Sequence, residues 1–574
     1  MYANSTGQIK LSGHISRKFG IHKGTEQGHP LSPDFFKLYI SDLSPLLEHK
    51  NCPMLLNKIV SHLLWADDLI LLALDPVTLQ KQLDSISQYC TAWGIDINMT
   101  KTNLIVFNPS PTIPTAVSFR LCGKPVLEVD SYCYLGIEID KSGKFTIARN
   151  ELKKKALRSL YSLKGTINKK HISFRALTTL FDSLIKPIAL YGAPIWTADM
   201  PIIRNFTKMF RSEQTLSNSR LLKQISLLEC EKIHIHFLKW ALGVNRKASN
   251  AGVWGETGRY PLIYECINLT LKYFNRVKNL KNGSLVSLAY QEQKLRNLEW
   301  HKSIESILMT DPCYSADHVS SFRFNRNSTH NTNLTSSYTN NQQTNGIPRK
   351  ISFVIHRGIK KCLPEQRLVP MFSERYSISS IMKSLKNQFK SLWESNINVS
   401  SKLSFYRQFK TVFLKEPYLD LISNCKDRQN LTRLRISAHH LEIEKGRHKN
   451  VARENRTCAW CKFCMGQDTV ENENHLLNEC DLYAINRRIT LQKLYPELST
   501  SNNSTNILTH PHVTSSCNTI NPNIVTLNPP HDHTDDNKGE HAHFYQTVSR
   551  FITICFNHRK KIQGSLNAPS SANE

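Results

Sequence analysis

His62-Leu63-Leu64-Trp65-Ala66-Asp67-Asp68-Leu69-Ile70-Leu71-Leu72 sets two adjacent carboxylates between two apolar runs. Neighbouring side chains on a strand point to opposite faces, so only a turn lets both acids reach one polar site while the flanks stay buried. The pattern therefore predicts a β-hairpin with Asp67 and Asp68 at its tip. Bare charges in apolar surroundings are costly, and a hard divalent cation such as Mg²⁺ removes much of that cost. Taken alone, an ordinary solvated turn is the plainer reading.

Outward from the hairpin, residues 1–140 alternate short apolar runs with turns. Gln8 to Leu11, Ile59 to Leu64, Leu69 to Leu74, Leu104 to Phe107 and Tyr132 to Ile139 read as strands, while Pro33 to Leu47 and Val77 to Trp93 carry apolar residues at helical spacing. The expectation is an α+β unit with a largely antiparallel sheet. From Phe145 to about Trp300 the period turns helical, with basic faces such as Lys153-Lys154-Lys155 and Lys169-Lys170.

Four blocks stand in order around the acids: Gly24 to Pro33 (GTEQGHPLSP), Trp65-Ala66-Asp67-Asp68, Trp93 to Thr102 (WGIDINMTKT) and Tyr134-Leu135-Gly136. As an ordered set they resemble the polymerase palm of non-LTR retrotransposon (LINE-type) reverse transcriptases. The resemblance implies RNA-directed DNA synthesis by two-metal nucleotidyl transfer, with Mg²⁺ or Mn²⁺, an RNA template, a DNA primer and dNTPs as partners. It implies Asp67 and Asp68 as metal-side carboxylates and Lys101 facing the triphosphate, where surface solvation is the plainer role. Gln27 and Gly28 would lie near the templating base and incoming nucleotide, Trp65 beside the metal site, and Tyr134 with Gly136 at the turn that holds the primer end.

Three departures from the family pattern stand out. Trp65 replaces the usual Phe or Tyr, and His29 stands where a small residue or Asp is common. None of residues 1–23 is acidic, so the strand carrying the partner carboxylate is expected to be missing, along with the fingers and an endonuclease. Misplacing the attacking hydroxyl costs about 10²-fold in rate, which leaves a non-catalytic nucleic-acid-binding remnant as the alternative reading. The resemblance extends through Leu184 to Trp196 and Glu231 to Leu262, whose apolar helical stripes read as a thumb-like core with template and primer on exposed Lys and Arg.

Composition points to the same class of partner. Lys and Arg total 74 against 46 acidic residues in 574, a net charge of +28, and a surface this basic binds polyanions by releasing counterions. Fifteen cysteines without an apolar leader do not form a secreted disulfide pattern, and the longest apolar stretch, Leu63 to Leu74, is cut by the two acids and is too short to span a bilayer. Insertion into chromosomal DNA implies a nuclear protein with a cytoplasmic ribonucleoprotein stage.

The chain divides by pattern into a partial palm at 1–140, a helical thumb or connection region at 141–310, a polar linker at 311–348 and basic helices at 349–450. A Cys/His unit at 451–490, a second polar tract at 491–540 and a terminal helix and tail at 541–574 complete it. The polar tracts are too poor in apolar anchors to offset their ordering entropy. Within the Cys/His unit, Cys458-x₂-Cys461 followed by His475-x₄-Cys480 has the ligand types and spacing of a tetrahedral Zn²⁺ site, with Cys464 as the alternative to Cys458. It also resembles the terminal zinc-knuckle-like motif of LINE proteins.

Overall fold

The computed structural model describes residues 6–21, 28–107, 118–203, 218–310, 376–491, 494 and 538–566. Gln27, the linker at 311–348, residues 349–375 and most of the tract at 491–540 lie outside them. The chain forms two compact units, one holding the described residues up to Ala148 together with Arg276–His301, the other Arg149–Asn275 and the described residues beyond His301.

The first unit is α+β. Its central helix, α3 (Pro76–Trp93), follows α1 (Ser32–Tyr39) and α2 (Leu43–Leu46). Asp75 caps α3 by accepting from the Thr78 amide at 2.8 Å, Pro76 occupies the first turn, and Gly94 ends the helix in the left-handed region. One face of α3 buries Leu79, Leu83, Ile86 and Tyr89 against Leu43, Leu47, Ala73, Phe119 and Leu121. From the same face the buried Gln82 amide donates to the carbonyls of Leu47 and Ser61, pinning the loop after α2 and the start of the hairpin to the helix. The single helix expected over Pro33 to Leu47 is broken at Ile40–Asp42, where the Asp42 carboxylate accepts from the Tyr89 hydroxyl on α3.

The strands pair as seven two-stranded ladders among the described residues, six antiparallel and one parallel. This is a correction to the broad sheet that the apolar runs suggest. Left-handed residues at Ser12, Leu56, Ala66, Cys122 and Leu135 reverse the chain after two to four residues, before any ladder grows long. A lone hairpin is marginal in water, and the ribbons at 62–71 and 120–125 gain support by packing against the α3 core, while that at 54–59 meets the helix Leu285–Leu295. β1 (His62–Trp65) pairs with β2 (Asp68–Leu71), β3 (Asn103–Leu104) runs parallel to β4 (Leu127–Glu128), and β5 (Ser131–Tyr134) pairs with β6 (Ile137–Asp140). Glu292 completes the unit by accepting from the Leu56 amide at 2.7 Å.

The second unit is helical. α4 (Thr146–Thr166) enters it at Arg149, followed by α5 (Glu229–Leu242), α6 (Asn250–Thr257), α7 (Ile378–Val399), α8 (Cys425–Arg435) and α9 (Glu442–His448). The short α10 (Ala459–Met465) and α11 (Ala484–Leu491) precede α12 (Lys538–Leu566). A π-helical turn at Phe181–Ile185 sits just before Pro187, whose missing N–H breaks the regular ladder. Trp254, Tyr260, Phe389, Trp393 and Phe413 form an aromatic core, with the Trp393 indole donating to the Ala251 carbonyl. Beneath it, fully buried Arg435 pairs with Glu256 and Glu416, a network that stays satisfied because Lys410 and Tyr418 supply further donors. Among the described residues no helix is long and apolar enough to cross a membrane.

Candidate active site and metal centre

Trp65 and Asp68 close the β1–β2 ladder, leaving Ala66 and Asp67 as a two-residue turn. Ala66 has φ of 52°, a conformation that alanine adopts only at a cost of about 1–2 kcal/mol. Asp67 and Asp68 both project from this tip into solvent, and the Trp65 side chain is 66% exposed. The apolar surroundings expected for the acids are therefore absent: the flanks are buried only further down the hairpin, where Leu69 and Leu71 meet the α3 core.

The second hairpin comes within electrostatic reach of this tip. Leu135 (φ 47°) and Gly136 (φ 81°) turn β5 into β6 with both central residues left-handed, the geometry of a type I′ turn. Burial raises the Tyr134 phenol above its usual range, and the Asp68 carboxylate raises it further. Tyr134 thus lies within electrostatic reach of the acid on the other hairpin. Two pairs earlier, the Tyr132 hydroxyl donates to the Lys101 carbonyl at 2.8 Å, tying in the turn that Asn98 shapes by accepting from Thr100 and Lys101. Lys101 itself is exposed, and Gly28 (φ 90°) sits in open space. Asp67, Asp68, Tyr134 and the Lys101 turn are thereby linked, and Trp65 joins them through its ladder pairing with Asp68, whereas among the described residues nothing connects Gly28 to that set. Exposed adjacent carboxylates suit a hard cation. Among the described residues no third acid, His or Cys joins them as a ligand cluster.

In the second unit Cys458, Cys461, His475 and Cys480 are buried together, with their ligand atoms all within 4.8 Å of one another. Cys458 caps α10, anchored by its amide to the Thr469 carbonyl at 2.8 Å, and Cys461 follows one turn along the helix. His475 and Cys480 bracket a π-helical turn, closed by the Cys480 amide donating to the His475 carbonyl. The Cys461 sulfur lies 3.4 Å from His475 Nε2 and 3.8 Å from the Cys480 sulfur. Tetrahedral zinc with bonds of about 2.3 Å to sulfur and about 2.0 Å to nitrogen implies separations of roughly 3.5 to 3.8 Å, so the donor set fits that ion. Cys464 points outward and takes no part.

Hydrogen bonding from Cys480 draws the Cys458 thiol well below its usual range against its burial, which favours the thiolate form that a metal takes. Burial opposes a charge on His475, yet that thiolate and Glu479 raise its pKa. Glu479 faces His475 Nδ1 at 3.3 Å, which leaves Nε2 toward the sulfurs. Buried Arg487 donates to the carbonyls of Leu477 and Cys480, fixing the last ligand from outside. Neither Glu479 nor Arg487 is signalled by the ligand spacing, though a basic residue shortly after the last cysteine is a weak hint.

Residues 2–139 match the reverse transcriptase (RNA-dependent DNA polymerase) family model. The chain is similar to a transposon-derived protein of Caenorhabditis elegans, 29% identical over 150 residues, covering 24% of this chain and 49% of that one. It is also similar to the retrovirus-related Pol polyprotein of a type-2 retrotransposable element of Drosophila melanogaster, 27% identical over 150 residues, covering 25% of this chain and 14% of that polyprotein. Residues 2–139 thus carry a reverse transcriptase domain of the kind found in retrotransposable elements.

The matched region ends at the β5–β6 hairpin, so the segment that carries both acids, Lys101 and Tyr134 lies within the reverse transcriptase match. Its second unit, including the Cys/His cluster, lies outside the family match. The matches cover half or less of each relative's own length.

Proposed function

We propose that the first unit is a polymerase palm acting in RNA-templated DNA synthesis, and that the helical second unit holds template and primer as a thumb. The observation that carries this reading is that Tyr134 lies within electrostatic reach of Asp68 on the other hairpin, with the Lys101 turn attached through Tyr132. Divalent magnesium or manganese, when bound, would supply Lewis-acid activation of a primer hydroxyl and charge neutralisation on the triphosphate. Asp67 and Asp68 would hold it, since both carboxylates project from one exposed hairpin tip. The Lys101 ammonium would balance charge on the nucleotide phosphates, and Tyr134 with Gly136 would carry the primer end. The Gln27–Gly28 block would lie along the templating base, and the exposed Trp65 ring would border the nucleotide.

The Cys/His cluster would hold structural zinc, because four buried soft or borderline donors at tetrahedral separations leave no open coordination position for chemistry. Zinc there would tie the start of α10 to the turn that carries His475 and Cys480, so that metal binding adds to the folding free energy of this segment. Such a protein would work on chromosomal DNA in the nucleus after a cytoplasmic ribonucleoprotein stage.

Primer extension on an RNA template with Mg²⁺ tests the reading. Incorporation by the full chain that disappears in Asp67→Ala and in Asp68→Ala is the expected result. The pairing of only two carboxylates among the described residues favours a second reading, a non-catalytic remnant that binds nucleic acid. In that case no incorporation occurs, while filter binding of a primer–template survives both substitutions.

A further inference from the structure

The second unit gathers cations where α4 ends, and no anion answers them. Lys164, in the last turn of α4, places its ammonium 2.9 Å from His236 Nε2 and about equally over the rings of Tyr161 and Trp240, at 5.5 and 5.4 Å. Lys169 lies over the same Trp240 ring at 5.6 Å. Arg246, in the loop after α5, is exposed and near enough to depress both Lys164 and His236. Arg433, from α8, acts on Lys169 in the same sense.

Two of these cations have an internal task. Lys169 donates to the Trp240 carbonyl at 3.1 Å and Arg433 to the Gly243 carbonyl at 2.8 Å, so they satisfy the carbonyl end of α5 and its dipole. That account does not reach Lys164 or Arg246. Among the described residues neither forms an ion pair with a carboxylate, and Lys164 has only a neutral imidazole and two ring faces around a half-buried charge. Burial, then Arg246 and Lys169, bring the Lys164 amine down to about 8. A half-buried ammonium with cationic neighbours is costly, and a multiply charged anion at this spot would remove the cost.

We propose that Lys164 and Arg246, backed by Lys169, form a site for a backbone phosphodiester of a nucleic-acid strand. The ligand is a phosphate rather than a base: the Trp240 ring already lies under two ammonium groups, which leaves charge, not a stacking surface, as the recognition element. A phosphate oxygen would accept from the Lys164 ammonium and the exposed Arg246 fork, and would raise the Lys164 pKa by pairing with it. The proposal rests on the nucleic-acid-binding half of the reading above and is independent of whether Asp67 and Asp68 catalyse anything.

The test is fluorescence anisotropy of the full chain with a labelled single-stranded DNA and a labelled RNA–DNA duplex across a salt series. Each lost phosphate contact makes the log–log salt slope shallower by about 0.7 on single strands and about 0.9 on duplex. Arg246→Gln, at an exposed position, should lose one such step without changing thermal unfolding. Lys164→Gln/Arg246→Gln should lose two. Lys232→Gln, an exposed lysine elsewhere on α5, should change the slope less than either. Bound oligonucleotide should also slow acylation of Lys164 by an amine-reactive ester, mapped by mass spectrometry. If the wild type binds steeply but neither variant alters the slope, or Lys232→Gln alters it equally, the site is wrong while nucleic-acid binding stands. Equal displacement of the DNA by polyglutamate and by unlabelled oligonucleotide overturns the phosphodiester assignment. A wild type that binds neither probe removes both claims.

Discussion

Arg559, on α12, donates through Nε and Nη2 to the two carboxylate oxygens of Glu471, each at 2.6 Å. Both partners are buried, and Glu471 also accepts from the Glu442 amide while its backbone pairs with Ile443 and Arg456. Glu471 stands four residues before the zinc-site histidine, so the helix that ends the described chain is fastened to the loop that carries His475. The Asn430 amide, which donates to Thr553, makes a second link from α8. Removing one member strands a buried charge, an effect of about 3–5 kcal/mol. Arg559→Met and Glu471→Gln are each expected to lower the unfolding free energy, read from urea titration, by that amount. The double variant Arg559→Met/Glu471→Met should cost less than the two single substitutions added together, since neither charge is then left alone. Additive losses would show that the pair is not coupled.

Local features of this kind of chain are legible from spacing, and distant ones are not. The turn at Ala66-Asp67, the α3 helix between Asp75 and Gly94 and the left-handed Gly136 follow from patterns within a few residues. The clustering of Cys461, His475 and Cys480 also follows from ligand spacing. Cys458 and Cys464 are equally spaced about Cys461, and what separates them is tertiary: the Thr469 carbonyl holds Cys458 inward, while the next turn of α10 carries Cys464 to solvent. Glu256 with Arg435 and Glu471 with Arg559 join positions 179 and 88 residues apart, and nothing in either local sequence marks its partner. The apolar runs beside Asp67 and Asp68 suggested enclosed acids. Burial is set by what packs on a ribbon, however, and α3 reaches only its lower half.

Zinc content separates the two cysteines directly. The full chain is expected to retain one zinc per molecule after desalting, measured by plasma mass spectrometry. Cys458→Ser and Cys480→Ser should lose it and unfold at lower temperature, while Cys464→Ser keeps both metal and stability. A chelator should lower the unfolding temperature of the wild type and leave that of Cys480→Ser unmoved, because metal binding to this segment is also folding free energy. Retention of zinc by Cys458→Ser together with its loss in Cys464→Ser would reverse the ligand assignment.

Backbone strain at the hairpin tips makes a prediction of opposite signs. Ala66 holds a left-handed conformation that glycine adopts freely, so Ala66→Gly should slow hydrogen exchange across 62–71, a net gain of roughly 0.5 kcal/mol after the added freedom of the unfolded chain. Gly136→Ala imposes the strain that Ala66→Gly removes, and should speed exchange across 131–140 by about 1 kcal/mol in opening free energy. Since Tyr134 precedes that turn, its distance from Asp68 should loosen too, and the Tyr134 phenol should titrate at lower pH than in the wild type. Matching signs for the two substitutions would mean that the turns relax by other routes.

Lys239 gives the clearest pH signature. Burial, with Lys402 adding repulsion, brings its amine down to about 8 from 10.5, while its hydrogen still reaches the Arg246 carbonyl at 2.8 Å. A base with a lowered folded pKa binds fewer protons folded than unfolded between those two values, so its contribution to stability rises with pH through that window and is flat below it. Lys239→Met removes the titration and fills the same half-buried space with an uncharged chain. The difference in unfolding free energy, wild type minus Lys239→Met, is therefore expected to be constant below about pH 8 and to climb in favour of the wild type from pH 8 to 10. Other groups that titrate in this range cancel in the subtraction. A difference that stays level across the whole window would show that the Lys239 ammonium is as well solvated folded as unfolded.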